Sequence, residues 1–109
     1  MALSKIKLNL PARYTASDRL QDFANEKSTR ILSQHSQDLR LASRSLAPDA
    51  GELLDKNEVD GLRLTFKNGD IVHLRPSGNA PELRCYAESN SAERAQALCD
   101  GALKWVAGL

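Results

Sequence analysis

The chain has 109 residues, of which 41% are hydrophobic and 27% charged, with a formal net charge of +1. This composition fits one soluble globular domain with a modest core and excludes a disordered chain. The balanced charge excludes global attraction to nucleic acid or an anionic membrane, so any anion site must be local, and no apolar run approaches the roughly 20 residues of a membrane span.

Residues 1–10, MALSKIKLNL, are expected to form a tail or linker. Lys5, Lys7 and Asn9 interrupt the apolar residues there, so no signal-peptide core is expected. ARYTASDRLQDF, opening at Ala12, alternates in a way that predicts an extended segment. NEKSTRILSQHSQDLRLASRSL follows as a helix with Asn25 as its candidate cap and Ser28, Ile31, Leu32, His35 and Leu39 near one face. Its serine-rich second half is expected to bend or split. APDAGELLDKNEVDG reads as a connector, with a short edge strand around Leu53 and Leu54.

From Gly61 the pattern sharpens. Leu62, Leu64 and Phe66 alternate with Arg63 and Thr65, which predicts a half-buried strand. KNGD is a turn and IVHLR a second strand. A two-residue Asn68-Gly69 turn would pair Leu64 with His73. A three-residue loop, Lys67 to Gly69 with Gly69 left-handed, pairs Leu64 with Val72 and Leu62 with Leu74. The second register puts apolar residues opposite one another and sends Arg63, His73 and Arg75 to the other face, so it is preferred. LRCYAES is a third strand, with Leu83, Cys85 and Ala87 on one side. A closing helix is expected from Asn90 onward, with Asn90 and Glu93 as a capping box and Ala92, Ala95, Cys99, Ala102, Leu103 and Val106 as its apolar stripe. Strands joined by short turns, with helices covering one face, predict a two-layer α+β sandwich with an antiparallel sheet of about four strands.

The loop RPSGNAPELR, Arg75 to Arg84, is where chemistry is expected. Pro76 and Pro81 fix φ and remove two amide donors. Gly78 permits a left-handed or close-approach conformation. Ser77 and Asn79 add a hydroxyl and an amide. Inward amides make a nest for an anion, and flanking arginines add charge-assisted, bidentate hydrogen bonds. The physics describes a phosphate site; the competing reading is a stiff hairpin whose arginines are solvated or paired with Glu82 and Glu88.

The same residues resemble the phosphate-binding loop of the C-terminal domain of α-D-phosphohexomutases, the phosphomannomutase/phosphoglucomutase family. That loop usually reads Arg-Pro-Ser-Gly-Thr-Glu-Pro. Asp60-Gly61 before the strand and LPARYTASDRLQDF also resemble that domain, so nearly the whole chain is covered. The resemblance implies a TATA-box-binding-protein-like fold over residues 11–109, with residues 1–10 linking from a preceding domain. It implies that Arg75, Ser77, Gly78 and Asn79, with Arg84 as helper, bind the non-reacting phosphate of mannose or glucose 1- or 6-phosphate. Asn79 stands where Thr is frequent and Ala80 where Glu is frequent; Asn can still donate to phosphate.

The resemblance further implies that catalysis belongs to a longer enzyme, an isomerase with three further domains as partners. Its phosphoserine and its Mg²⁺ loop have no counterpart here, so no catalytic residue, metal ligand or cofactor is expected in this domain. TASD, Thr15 to Asp18, lacks the His and Asn of the family's serine motif, so Ser17 is expected to serve a strand, turn or cap. A stand-alone module that binds phosphosugars or a protein carboxylate without catalysis is the alternative. His35 is expected at the surface or boundary, His73 facing solvent or packed, and Trp105 as an anchor in the core or at a domain interface. Asp18, Asp22 and Glu26 read as a solvated run. No basic patch interleaved with aromatics supports nucleic-acid binding. Cys85 and Cys99 show no metal spacing and are expected as buried, reduced thiols of a cytoplasmic protein.

Overall fold

A computed structural model describes residues 13–48 and 50–109. The tail expected over residues 1–10 lies outside the described residues. Five strands and three helices follow in the order β1 (Tyr14–Leu20), α1 (Asn25–Gln37), α2 (Leu39–Leu46), β2 (Leu53–Asn57), β3 (Leu62–Phe66), β4 (Ile71–Pro76), β5 (Leu83–Ser89) and α3 (Ala92–Ala107). The strands form one antiparallel sheet in the order β1-β5-β4-β3-β2. This is the expected α+β class with one strand more than about four, because the connector contributes β2 as a full edge strand.

Alternation decides which face is covered. Leu62, Leu64, Phe66, Val72, Leu74, Leu83, Cys85 and Ala87 are all buried on one face of the sheet. The three-residue loop is present: Leu62 pairs with Leu74 and Leu64 with Val72, and Gly69 has φ +95°. α3 lies over β1 and β5, α1 reaches β4, and α2 packs against α3. Ala95, Leu98, Cys99, Ala102, Leu103 and Val106 form the buried stripe of α3, and its small residues let the helix sit close to the sheet. Ala92, expected on that stripe, is exposed because α3 begins there. Cys99 Sγ donates to the Cys85 carbonyl at 3.6 Å, and both thiols are unbridged. Contact with the Cys99 thiol and burial push the Cys85 thiol far above its ordinary pKa, which keeps it unreactive.

Three local expectations are corrected. Asn25 is the first residue inside α1 rather than its cap; the cap position is Ala24 and holds no side-chain bond. Ser91, not Asn90, caps α3: its Oγ accepts from Arg94 N at 3.1 Å, so Glu93 is not the partner of a capping box. His35 is buried, not a surface or boundary residue. Its Nδ1–H donates to the Ile31 carbonyl at 2.8 Å, and its Nε2 accepts from Trp105 Nε1–H at 3.0 Å. Both ring nitrogens are satisfied, which offsets the cost of burying them. Trp105 keeps one edge exposed while its indole N–H reaches the core, joining α3 to α1. The expected split of the first helix is real. Asp38 ends α1 and caps α2 by accepting from Leu41 N at 3.1 Å, which turns Leu39 out of the buried face.

One buried carboxylate ties the layers together. Asp70, at the end of the β3–β4 loop, accepts from Ser89 Oγ at 2.7 Å, from Arg94 Nε at 3.1 Å and from Asn68 Nδ2 at 3.0 Å. It thereby joins the hairpin to the end of β5 and the first turn of α3.

Candidate functional site

The helices cover one sheet face, so the other is free to carry polar side chains. At one end of that face the β4–β5 connection, residues 77–82, makes a closed loop. Ser77 N donates to the Glu82 carbonyl at 2.9 Å, which closes it across the strand ends. Ser77 Oγ accepts from Asn79 N at 3.4 Å and Ala80 N at 3.3 Å, so the hydroxyl gathers the loop amides on one side. Phe23 N donates to the Pro81 carbonyl at 2.7 Å and anchors the loop to the segment after β1. The two prolines leave the loop few alternative pairings, which suits a shape kept ready for a ligand.

Arg75, Pro76, Ser77, Gly78, Asn79 and Arg84 line one hollow of about 140 Å³. All five residues predicted for a phosphate site are therefore brought together. The reason offered for Gly78 needs correction. It does not occupy the left-handed region, and a Cβ there would meet nothing within 4 Å. Neither the backbone conformation nor a close approach demands glycine at that position.

Register places the arginines. Arg75 pairs directly with Arg84 across β4 and β5, and Arg84 pairs with Arg19 across β5 and β1. Three cations thus stand in a row on adjacent strands. Like charges directly opposite destabilise a sheet, so such a row calls for compensation. Two carboxylates supply part of it. Asp60 Oδ1 lies 3.1 Å from Arg75 Nε, and Glu82 Oε2 lies 3.1 Å from Arg84 Nε. Glu82, itself buried, also stands 3.8 Å from Arg19 Nε. Each close pair meets the guanidinium at Nε, and Tyr86 is a further partner of Arg84. Tyr86 and Glu82 hold the Arg84 pKa above its ordinary value, so that residue stays cationic. Beside the loop, Ser17, Asp18, Arg19, Arg84 and Tyr86 line a second, open hollow of about 360 Å³ that shares Arg84 with the first.

Sequence reasoning treated Asp60 only as part of a motif and Glu82 only as a competing partner. The signal that finds Asp60 was present: the predicted β3–β4 register, continued one step, sets Gly61 beside Arg75. Gly61 has φ +81°, and a Cβ on it would come within 2.2 Å of the Leu74 carbonyl oxygen and 3.0 Å of Arg75 Cα. Gly61→Ala combines left-handed strain with a clash against backbone and is expected to destabilise by about 2–4 kcal/mol. Gly69→Ala, at φ +95° with only the Arg13 Nη1 atom at 3.3 Å, is expected to cost about 1–2 kcal/mol. Urea unfolding midpoints check this order, and equal losses would refute the steric argument.

The remaining candidates separate from the loop. His73 Nε2–H donates to the Asp60 carbonyl, and its ring lies 6.0 Å from that of Tyr86, so it packs away from the hollow. Ser17 sits in the middle of β1 opposite Tyr86, an exposed strand residue. Asp18, Asp22 and Glu26 are not gathered into a metal cage; among the described residues no three His, Cys, Asp or Glu side chains converge on one point.

Comparison with known proteins gives the geometry its context. Residues 25–104 match the family model described as phosphoglucomutase/phosphomannomutase, C-terminal domain. The chain is 43% identical over 94 residues to a phosphomannomutase of Salmonella muenchen, which covers 86% of this chain and 20% of that protein. It is 56% identical over 48 residues to a phosphomannomutase of Sinorhizobium fredii, covering 44% of this chain and 10% of the other. A probable phosphoglucosamine mutase of Methanobrevibacter smithii is 26% identical over 104 residues, 95% of this chain and 22% of that protein. The chain therefore spans about a fifth or less of the length of these relatives. The arginine-flanked loop, the sheet that presents it and the match over residues 25–104 agree, and the chain belongs to the phosphoglucomutase/phosphomannomutase C-terminal domain family.

Proposed function

We propose that this domain, running over residues 11–109, holds the non-reacting phosphate of a hexose phosphate while a longer mutase exchanges its other phosphate. The observation that carries the reading is the convergence of Arg75, Ser77, Gly78, Asn79 and Arg84 on one hollow, with each arginine held at Nε by a carboxylate. Arg75 supplies a guanidinium fork to two phosphate oxygens. The Gly78 amide donates to the third, and Ser77 and Asn79 complete the shell through side-chain hydroxyl and amide donors. Arg84 adds charge from the neighbouring strand.

In such an enzyme, a phosphoserine in another domain donates its phosphoryl group to the free hydroxyl of the sugar phosphate. The bisphosphate then turns over and returns its other phosphate to the serine. Either end of the sugar must fit the clamp in turn. A site built of charge and N–H donors meets that need, because it reads the phosphate and ignores sugar stereochemistry. The Mg²⁺ chemistry implied for the family belongs, on this reading, to the other domains, as does the choice between mannose and glucose. Closure of a terminal domain over the substrate would exclude water that otherwise hydrolyses the phosphoserine. The site of action is the cytoplasm, where hexose phosphates are substrates.

Phosphate titration followed by amide NMR tests the reading. Inorganic phosphate is expected to shift Ser77, Gly78 and Asn79 first, with affinity on the order of millimolar because the clamp is exposed and has few contacts. Glucose and mannose phosphates should bind alike, uncharged sugars should not bind, and higher salt should weaken the effect. Shifts centred on another surface would move the phosphate site elsewhere.

A further inference from the structure

Asp60 lies outside the loop, in the turn between β2 and β3, yet its contacts converge on Arg75. Its carboxylate meets Arg75 Nε at 3.1 Å. Its carbonyl accepts from His73, two residues before Arg75 on β4. Gly61, next in the chain, is pressed against the Leu74 and Arg75 backbone with no room for a side chain. The turn is therefore fixed to β4 through its backbone, and the carboxylate reaches Arg75 from that fixed base.

Stability does not account for the pair. Its side chains are 46% and 58% exposed, and exposed ion pairs contribute little to folding. Orientation does. A free arginine has several rotors to immobilise when it grips an anion, and that ordering reduces affinity. A carboxylate 3.1 Å from Nε, carried on a turn fixed to β4, restrains the guanidinium by charge before the ligand arrives.

We propose that Asp60 is a positioning residue that presents Arg75 to the ligand's phosphate. The proposal rests on the phosphate-clamp reading. Charge and orientation make opposite forecasts, which gives the proposal a sign. If Asp60 acted only as a nearby negative charge, neutralising it would strengthen anion binding. If it orients Arg75, neutralising it weakens binding.

The test is inorganic phosphate affinity of the 109-residue chain and four variants at fixed ionic strength: Asp60→Asn, Asp60→Glu, Arg75→Ala and the double Asp60→Asn/Arg75→Ala. Asp60→Asn keeps the size and backbone of the turn, and a weakening of roughly three- to tenfold is expected. Asp60→Glu, which keeps the charge, should retain more affinity than Asp60→Asn. In the Arg75→Ala background, Asp60→Asn should have no further effect, since its partner is gone. A second readout separates orientation from folding. The Arg75 Hε–Nε resonance should be distinct in the native chain and should merge with those of solvated arginines in Asp60→Asn, while the amide spectrum stays in place. Phosphate affinity equal to or tighter than native in Asp60→Asn overturns the proposal, as does the reverse order of the Asn and Glu variants. Undiminished binding in Arg75→Ala would instead overturn the clamp reading itself.

Discussion

Arg75→Ala is expected to erase the phosphate-induced shifts at Ser77, Gly78 and Asn79 while leaving the fold intact. Millimolar binding corresponds to about 4 kcal/mol of free energy. Charge-assisted hydrogen bonds contribute about 1.5–3 kcal/mol each, so the fork of a single arginine carries most of that total. The substitution also leaves the Asp60 carboxylate without its 3.1 Å partner at the edge of the hollow, where it would repel the ligand. Folding should suffer little, because Arg75 is half-exposed and stands directly opposite Arg84. Removing one of two facing like charges offsets the lost surface pair. Arg75→Lys should restore little binding, because lysine keeps the charge but loses the planar fork. Isothermal titration or NMR with inorganic phosphate gives the comparison. Equal affinity in Arg75→Lys and the native chain would show that the site reads charge alone. In a full-length mutase, the same substitution should raise KM and impair productive orientation while leaving the serine able to accept a phosphoryl group.

Asp70→Ala should give the largest loss of stability among polar substitutions in the described residues, about 3–5 kcal/mol, the range for breaking a buried charged network by removing one partner. Asp70 is 3% exposed, and its two carboxylate oxygens serve Ser89, Arg94 and Asn68. Ser89 Oγ, in a fully buried residue, would lose its acceptor, and Arg94 would lose its Nε partner. Water does not readily reach Ser89, so its desolvation is no longer offset, while Arg94 is compensated by solvent only in part. The loss compares with a total of roughly 5–15 kcal/mol for a domain, enough to bring this one near unfolding at moderate temperature. Asp70→Asn keeps the shape and two of the acceptor directions, and about 1–3 kcal/mol is expected. Urea unfolding with an unchanged m-value is the measurement. A loss below about 1 kcal/mol for Asp70→Ala would show that the network is dispensable and that α3 is held by its apolar stripe alone.

Both predictions turn on polar groups, and polar groups mark the boundary of what was legible in the chain. The sheet from β3 to β5 could be read from alternation. Leu62, Leu64 and Phe66 against Val72 and Leu74 admit only one register that keeps apolar side chains together, and Gly69 supplies the left-handed residue that register needs. The five loop residues were legible for the same local reason. Prolines, glycine and flanking arginines within ten positions limit the shapes available, and neighbouring strand ends must bring Arg75 and Arg84 together.

Folding decided the rest by joining residues far apart in the chain. His35 is a polar residue by type, yet it is buried because Ile31 and Trp105, seventy residues away, satisfy both ring nitrogens. Asp70 reads as a turn residue until Ser89 and Arg94 close around it. The short edge strand expected around Leu53 and Leu54 extends to Asn57, because pairing with β3 supplies backbone hydrogen bonds that its slight burial does not foretell. The Asn90 and Asn25 caps were misplaced by a single residue each: Ser91 takes the cap of α3 from the neighbouring Asn90, and the cap position of α1 falls on Ala24, with no side-chain cap at all. The α+β pattern, the hairpin register and the arginine-flanked loop follow from local periodicity and turn chemistry, so they could be read from the residues in order. Chain folding was needed to bring Glu82 within 3.8 Å of Arg19 on β1 and to join Asp70 to Ser89 and Arg94, because those distances link residues that no local pattern relates.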